Sequence, residues 1–179
     1  MEKEAIVNLL EEKHQKLFDW LENQPKEIWE KGPKGKWTTG QQIQHLADSL
    51  QLLNKALSYP KFLLKYKFGT CNRAPRNYDA VAKKYQQKLL ENQDRARKFN
   101  QNLKKPLDRE RQTLLNKLQL QNKKLQYKTK KLKDKYLDFL VIPHPLMGKM
   151  TIREIVMWTA HHTEHHTKIL TSNYGKENY

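Results

Sequence analysis

The sequence predicts an all-α fold: a bundle of amphipathic helices with an additional long basic helical segment. Three observations carry that prediction. Apolar residues recur every three or four positions in successive stretches, the period of a helix with one covered face. Two of those stretches follow a threonine with a glutamine or glutamate three residues later, the spacing of a capping box. Glycine is scarce, six in 179 residues, and 30% of residues are charged against 37% hydrophobic, which suits long solvated helices better than β-sheet.

Helix one spans residues 3–22, with Ile6, Leu9, Leu10, Leu17, Trp20 and Leu21 at helical spacing and the stem of Lys13 filling one slot. Pro25 and Gly32-Pro33-Lys34-Gly35 mark an exposed connection. Helix two begins after Trp37, where Thr38 and Gln41 satisfy its first free amides, and runs through Ile43, Leu46, Leu50, Leu53 and Leu57 to Pro60. Residues 61–76, with Gly69 and Pro75, read as a loop holding at most a short helical turn. Asn77 or Asp79 caps helix three, expected through Val81, Tyr85, Leu89 and Ala96 to about Leu103 before Pro106 breaks it. Asp108 opens a fourth segment whose leucines, with Phe139, follow a heptad-like seam from Leu107 through Leu114, Leu118, Leu125 and Leu132. A break is expected at residues 142–148. Thr151 and Glu154 then form the second capping box of a last helix through Ile152, Ile155, Val156, Thr159, Ile169 and Leu170, with Gly175 beyond its end.

At this length the chain reads as a single domain, residues 1–179, with room for a proper core. One cysteine, Cys71, excludes an intrachain disulfide and fits a reducing compartment. No apolar run approaches the length of a membrane span, and the start Met-Glu-Lys-Glu-Ala lacks the apolar core of a signal peptide. A cytoplasmic protein without membrane contact is the expectation. A homodimer is compatible with the composition.

Four of the seven histidines fall within residues 161–166. Residues four apart on a helix lie on one face, so two imidazoles so placed can hold one metal ion, and a third from a facing helix completes a His₃ site. Two His-x-x-x-His pairs overlap: His161/His165 and His162/His166. The apolar stripe from Ile152 through Ile155 and Thr159 lands on His162, His166 and Ile169. The stripe Glu154, Trp158, His161, His165, Lys168 is mostly polar and is expected to face outward or to line an entrance. On helix two, His45 lies next to the apolar face. His45, His162 and His166 can therefore converge between two helices. Burying imidazoles without partners costs roughly 2 kcal/mol per unpaired group, which a metal relieves.

Gly35-Lys36-Trp37-Thr38 with Gln44-His45-Leu46 resembles the start of the second helix in the DinB/YfiT-like superfamily. The run 144–151, from His144-Pro145 to Met150-Thr151, followed by His162-Thr-Glu-His-His166, resembles that superfamily's last helix and the turn before it. The matching stretches cover about residues 5–58 and 136–172. The resemblance implies a four-helix bundle and a divalent ion, zinc or nickel, held by His45, His162 and His166. It also implies a metal-dependent enzyme on a small-molecule substrate, either a transferase using a low-molecular-weight thiol or a hydrolase. The contrasting expectation is a non-catalytic, metal-stabilised binding protein whose basic helix contacts an anionic partner.

The chain departs from the shortest members of that superfamily in residues 97–135, which hold 14 lysines and arginines against three acidic residues, within a net charge of +16. Such a stripe can meet phosphates, but aromatics able to stack on bases are sparse (Phe99, Tyr127, Tyr136) and no nucleic-acid motif appears. The expectation is a solvated helix face rather than a nucleic-acid binder. Among other candidates, Glu164 reads as a surface carboxylate rather than a base and Asp48 as solvent-facing rather than orienting a ligand. His144 reads as a turn former, and Trp37 and Trp158 read as packing residues.

Overall fold

The computed structural model describes residues 1–94 and 103–174. Four long helices form the frame: α1 (Lys3–Glu22), α2 (Thr39–Ala56), α5 (Arg111–Lys131) and α7 (Ile152–Tyr174). α1 packs on α5 and α7, and α2 packs on the same two, so the four close into a ring around one core. Three shorter helices complete the described set: α3 (Lys61–Phe68), α4 (Tyr78–Glu91) and α6 (Asp134–Phe139).

Both predicted capping boxes form. Thr38 accepts from Gln41 N while Gln41 Oε1 accepts from Thr38 N, and Thr151 with Glu154 repeats the exchange at 3.2 Å in each direction. Asn77, not Asp79, caps α4, accepting from Ala80 N. α4 ends at Glu91 where Asn92 leaves helical geometry, Gln93 and Asp94 are helical again, and the rest of the helix expected up to about Leu103 lies outside the described residues. Ala96 and Phe99, like Gly175, lie outside the described residues.

Three local expectations are corrected. Residues 61–68 form a true two-turn helix, because Pro60 is tolerated ahead of a first turn and Leu64 is buried beneath it. The fourth segment is not one helix. Leu132 and Lys133 are extended, and α6 is drawn separately onto α7 by Arg153, which pairs with both Asp134 and Asp138. Its seam is only partly apolar: Leu114, Leu118 and Leu125 are buried, but so are Asn122 and Thr129, while Leu107 and Phe139 are exposed.

The break at 142–148 is a β-hairpin. Strand β1 (Val141–His144) pairs antiparallel with β2 (Gly148–Thr151), Val141 opposite Thr151 and His144 opposite Gly148. His144 Nδ1 accepts from the amides of both Leu146 and Met147 at 3.1 Å, and Gly148 takes the positive φ of 72° that closes the turn. His144 is thus the turn former the sequence suggests.

α7 is the axis of the molecule. Contacts from α1, α2, α4, α6 and the hairpin bury its first three turns on every side. Each fully buried side chain there, such as Ile152, Val156 or Met157, contributes roughly 1.5–3 kcal/mol. Of the stripe expected to face outward or to line an entrance, Glu154, Trp158 and His161 are therefore buried, Trp158 and the half-buried His165 line a cavity, and Lys168 is exposed. Glu154 has no exposed surface and accepts from Arg73, Arg76 and the amide of Arg76. Burial alone would raise its pKa, but these cations and amides hold it below the usual carboxylate range.

Candidate metal centre

His45 sits on the second turn of α2, whose start is fixed by the Thr38 cap. His162 and His166 sit one turn apart on α7. The structure brings these three together. His45 Nε2 lies 3.0 Å from His162 Nε2, and His162 Nε2 lies 3.1 Å from His166 Nε2. One ligand nitrogen from each lies within 4.8 Å of the other two, with His162 and His166 buried and His45 half-buried. Nitrogens sharing a tetrahedral ion at about 2.05 Å are about 3.3 Å apart, so only a small outward adjustment separates this arrangement from a ligand set.

The proton accounting also fits a cation. His166 Nδ1 lies 3.0 Å from Gln42 Oε1, an acceptor, so Nδ1 carries the hydrogen and the lone pair of Nε2 points inward. His162 can then donate a proton from Nε2 toward His166 or share one with His45, but no placement gives both contacts a linear donor–acceptor pair. An imidazolium is disfavoured. Burial, then the neighbouring imidazoles, holds His162 and His166 well below the ordinary histidine range. Three neutral nitrogens facing one point are what a divalent ion requires.

Two indoles brace the group. Trp37 stacks parallel to His166 with ring centres 6.2 Å apart, and Trp158 lies over His162 at 4.5 Å. Both belong to the wall of the site, a larger role than the packing expected of them. The wall encloses a cavity of about 820 Å³ between α2, α4, the hairpin and α7. Polar groups gather at the histidine end: Lys36, Gln42, Ser49 and Asn173. No carboxylate lines it among the described residues. Tyr85 stands edge-on to His161, His162 and His165 from α4, with its hydroxyl pushed up to about 12 by burial.

The competing pair divides. His165 lines the cavity, while His161, one turn back on the same face, turns toward Gln86 and Glu164 and is not part of the lining. Glu164 accepts from Tyr78 and pairs with Lys13 and Lys168, forming a separate half-buried cluster. Asp48 accepts from Gln44 and Lys117. Gln42 and Tyr85 escaped sequence reasoning as site residues. Gln42 lies off the apolar stripe with nothing to mark it, and Tyr85 looks like any core aromatic. A further buried histidine, His14 on α1, also went unremarked; its Nδ1 donates to the Leu10 carbonyl, which holds the ring against its own helix.

No helix among the described residues is long and apolar enough to cross a membrane. No curated protein and no solved structure gives a significant match. The family model of the DinB superfamily matches residues 9–170, which takes in α2 and α5, most of α1 and α7 and all three converging histidines, and the chain belongs to that superfamily.

Proposed function

We propose that this protein is a metal-dependent enzyme acting on a small molecule, with His45, His162 and His166 holding one zinc or nickel ion. The nucleophile in this reading is a low-molecular-weight thiol or a water, giving a thiol-dependent transfer or a hydrolysis. The observation that supports it is the convergence of three imidazoles, with no carboxylate beside them among the described residues, at the wall of a roomy cavity. A divalent ion held by three neutral ligands supplies Lewis acidity that ionises a thiol or water near neutral pH.

The chain's own residues do the rest. Gln42 fixes the tautomer of His166 and aims its Nε2 lone pair. Trp37 and Trp158 hold the rings of His166 and His162 in place and keep water from their faces. Tyr85 presents a neutral hydroxyl, a hydrogen-bond donor for the substrate. Cys71 lies outside the cavity lining, near the Arg73 carbonyl, so the chain offers no thiol of its own there.

The alternative, a binding protein working through its basic helix, draws less support. Lys117 is paired with Asp48, Lys128 donates to the Asn54 carbonyl and to Ser58, and Lys130 faces Glu4. These engaged lysines interrupt the stripe an anionic partner would need.

Cobalt substitution tests the proposal. Thiols should perturb the visible spectrum of the cobalt protein by direct ligation. Any activity should require the metal, vanish in His162→Ala and survive Cys71→Ser. A cobalt spectrum indifferent to thiols and to small anions would overturn the enzymatic reading.

A further inference from the structure

The cavity is far longer than a bound water needs, and its two ends differ in chemistry. From His45 to Ala56 the lining follows α2 for eleven residues, about 16 Å at the helical rise. Beyond the histidines the wall is mostly apolar: Leu52, Leu53 and Ala56 from α2, Phe68 from α3, Leu89 from α4 and Leu146 from the hairpin, with Ser49, Tyr85 and His144 as the polar groups between them. At the other end, Lys36 and Asn173 stand beside Trp37, joined by a 3.0 Å hydrogen bond from Lys36 Nζ to Asn173 Oδ1. Among the described residues Lys36 is the one lysine of the lining, and no acid opposes it. Sites for small molecules are apolar chambers with a few polar groups fixing orientation, and this one is polarised along its length.

We propose that the ligand of this cavity is an amphiphilic monoanion. Its head lies at the histidine and Lys36 end, and an apolar body of about eight to twelve carbons lies along the arm from Leu53 to Phe68 and Leu146. The proposal rests on the metal-centre reading for the head but not for the body. The head is drawn by a positive charge that no carboxylate opposes among the described lining residues. The body is drawn because the arm is lined by leucine, alanine and phenylalanine side chains, which water hydrates poorly.

Calorimetric titration of the zinc-loaded full-length chain with hexanoate, octanoate and decanoate, each below its micellar concentration, tests this. Binding should occur at one site and tighten about fourfold per methylene, or about 15-fold per two-carbon step. Octanoate should bind at least about tenfold tighter than 1-octanol, as a charge-assisted contact requires. Leu89→Asp should flatten the dependence on chain length without changing zinc content. Leu52→Asp, at a position already 63% exposed and so safe for folding, should do the same more weakly. A flat series on a protein that loads one zinc, a gain that survives both variants, or equal binding of octanol and octanoate overturns the proposal and leaves the metal centre standing. A protein that takes up no zinc yet keeps the chain-length gain, with its loss in Leu89→Asp, upholds the apolar arm and overturns the metal centre instead.

Discussion

Replacing Gln42 with leucine removes one hydrogen bond and almost no volume, so it isolates the orientation of His166 from its presence. In the wild type the Nδ1–H of His166 meets Gln42 Oε1 at 3.0 Å, and both residues are buried. In Gln42→Leu that N–H has no acceptor, which costs about 1–3 kcal/mol whether or not metal is bound. The ring is also free to adopt the other tautomer, which places a proton where the ligand lone pair should be. Loss of such an outer partner weakens metal binding about 10- to 100-fold, or about 1.4–2.8 kcal/mol. For a domain of this size each kcal/mol moves Tm by about 2–4 °C. Saturating zinc should therefore raise the Tm of Gln42→Leu by about 3–11 °C less than it raises the wild type. Comparing the zinc-induced rise within each protein cancels the fixed cost of the buried N–H. Competition against a chromophoric zinc chelator gives the affinities directly. Gln44→Leu is the control: Gln44 bonds Asp48, and its loss should leave zinc affinity unchanged. Wild-type affinity in Gln42→Leu, or an equal loss in Gln44→Leu, would refute the idea that Gln42 aims a ligand.

Three further outcomes are expected. Alanine at His45, His162 or His166 should each sharply reduce bound metal by elemental analysis, whereas His161→Ala and His165→Ala should change it little; equal loss from that second pair would mean the wrong frame had been chosen. Chelation should lower Tm while leaving far-ultraviolet helicity nearly intact, because the core of α1, α2, α5 and α7 is apolar without an ion, and collapse of the helical signal would contradict that. His14 is buried with its Nε2 unpartnered among the described residues, and burial pushes it down to about 4 from an ordinary 6.5. The unfolded chain therefore binds a proton between those values that the native state refuses. Stability is full above about pH 6.5 and falls on acidification, by about 3 kcal/mol for this group alone at low pH. Urea melts should show a smaller loss between pH 7 and pH 4.5 in His14→Leu than in the wild type, and equal losses would clear His14 of responsibility.

What the sequence made legible depends on how local each signal is. Capping boxes are written in four residues, and both form where Thr38 and Thr151 place them. The periodicity of α2 and α7 is equally local, and its phase was enough to bring His45, His162 and His166 onto facing sides. The errors come from partners distant in the chain. Glu154 looks solvent-facing until Arg73 and Arg76 fold over it, and His161 until α4 does. The one-covered-face rule presumes a peripheral helix, and α7 is central. The hairpin was hidden because Pro143 and Pro145 argue against a strand, yet an isolated two-stranded ribbon has free edges on which a proline costs little. Gln42 carries no signal at all, since an orienting amide differs from a solvated one only by what lies opposite it.

The hairpin has a consequence for how such a protein diversifies. The imidazoles are anchored in the bundle, where any change of helix position disturbs the whole core. Pro143, His144, Pro145 and Leu146, by contrast, reach the cavity from a ribbon outside the bundle, whose turn is held by His144 and Gly148. Reactivity and fit are thereby written in separate stretches of chain. A drifting lineage can rewrite Pro143, Pro145 and Leu146 and change what the chamber admits, provided that His144, which holds the turn and packs on the Trp158 behind His162, is kept. An engineer can do the same at those three positions, with retained metal content reporting that the frame has survived each exchange.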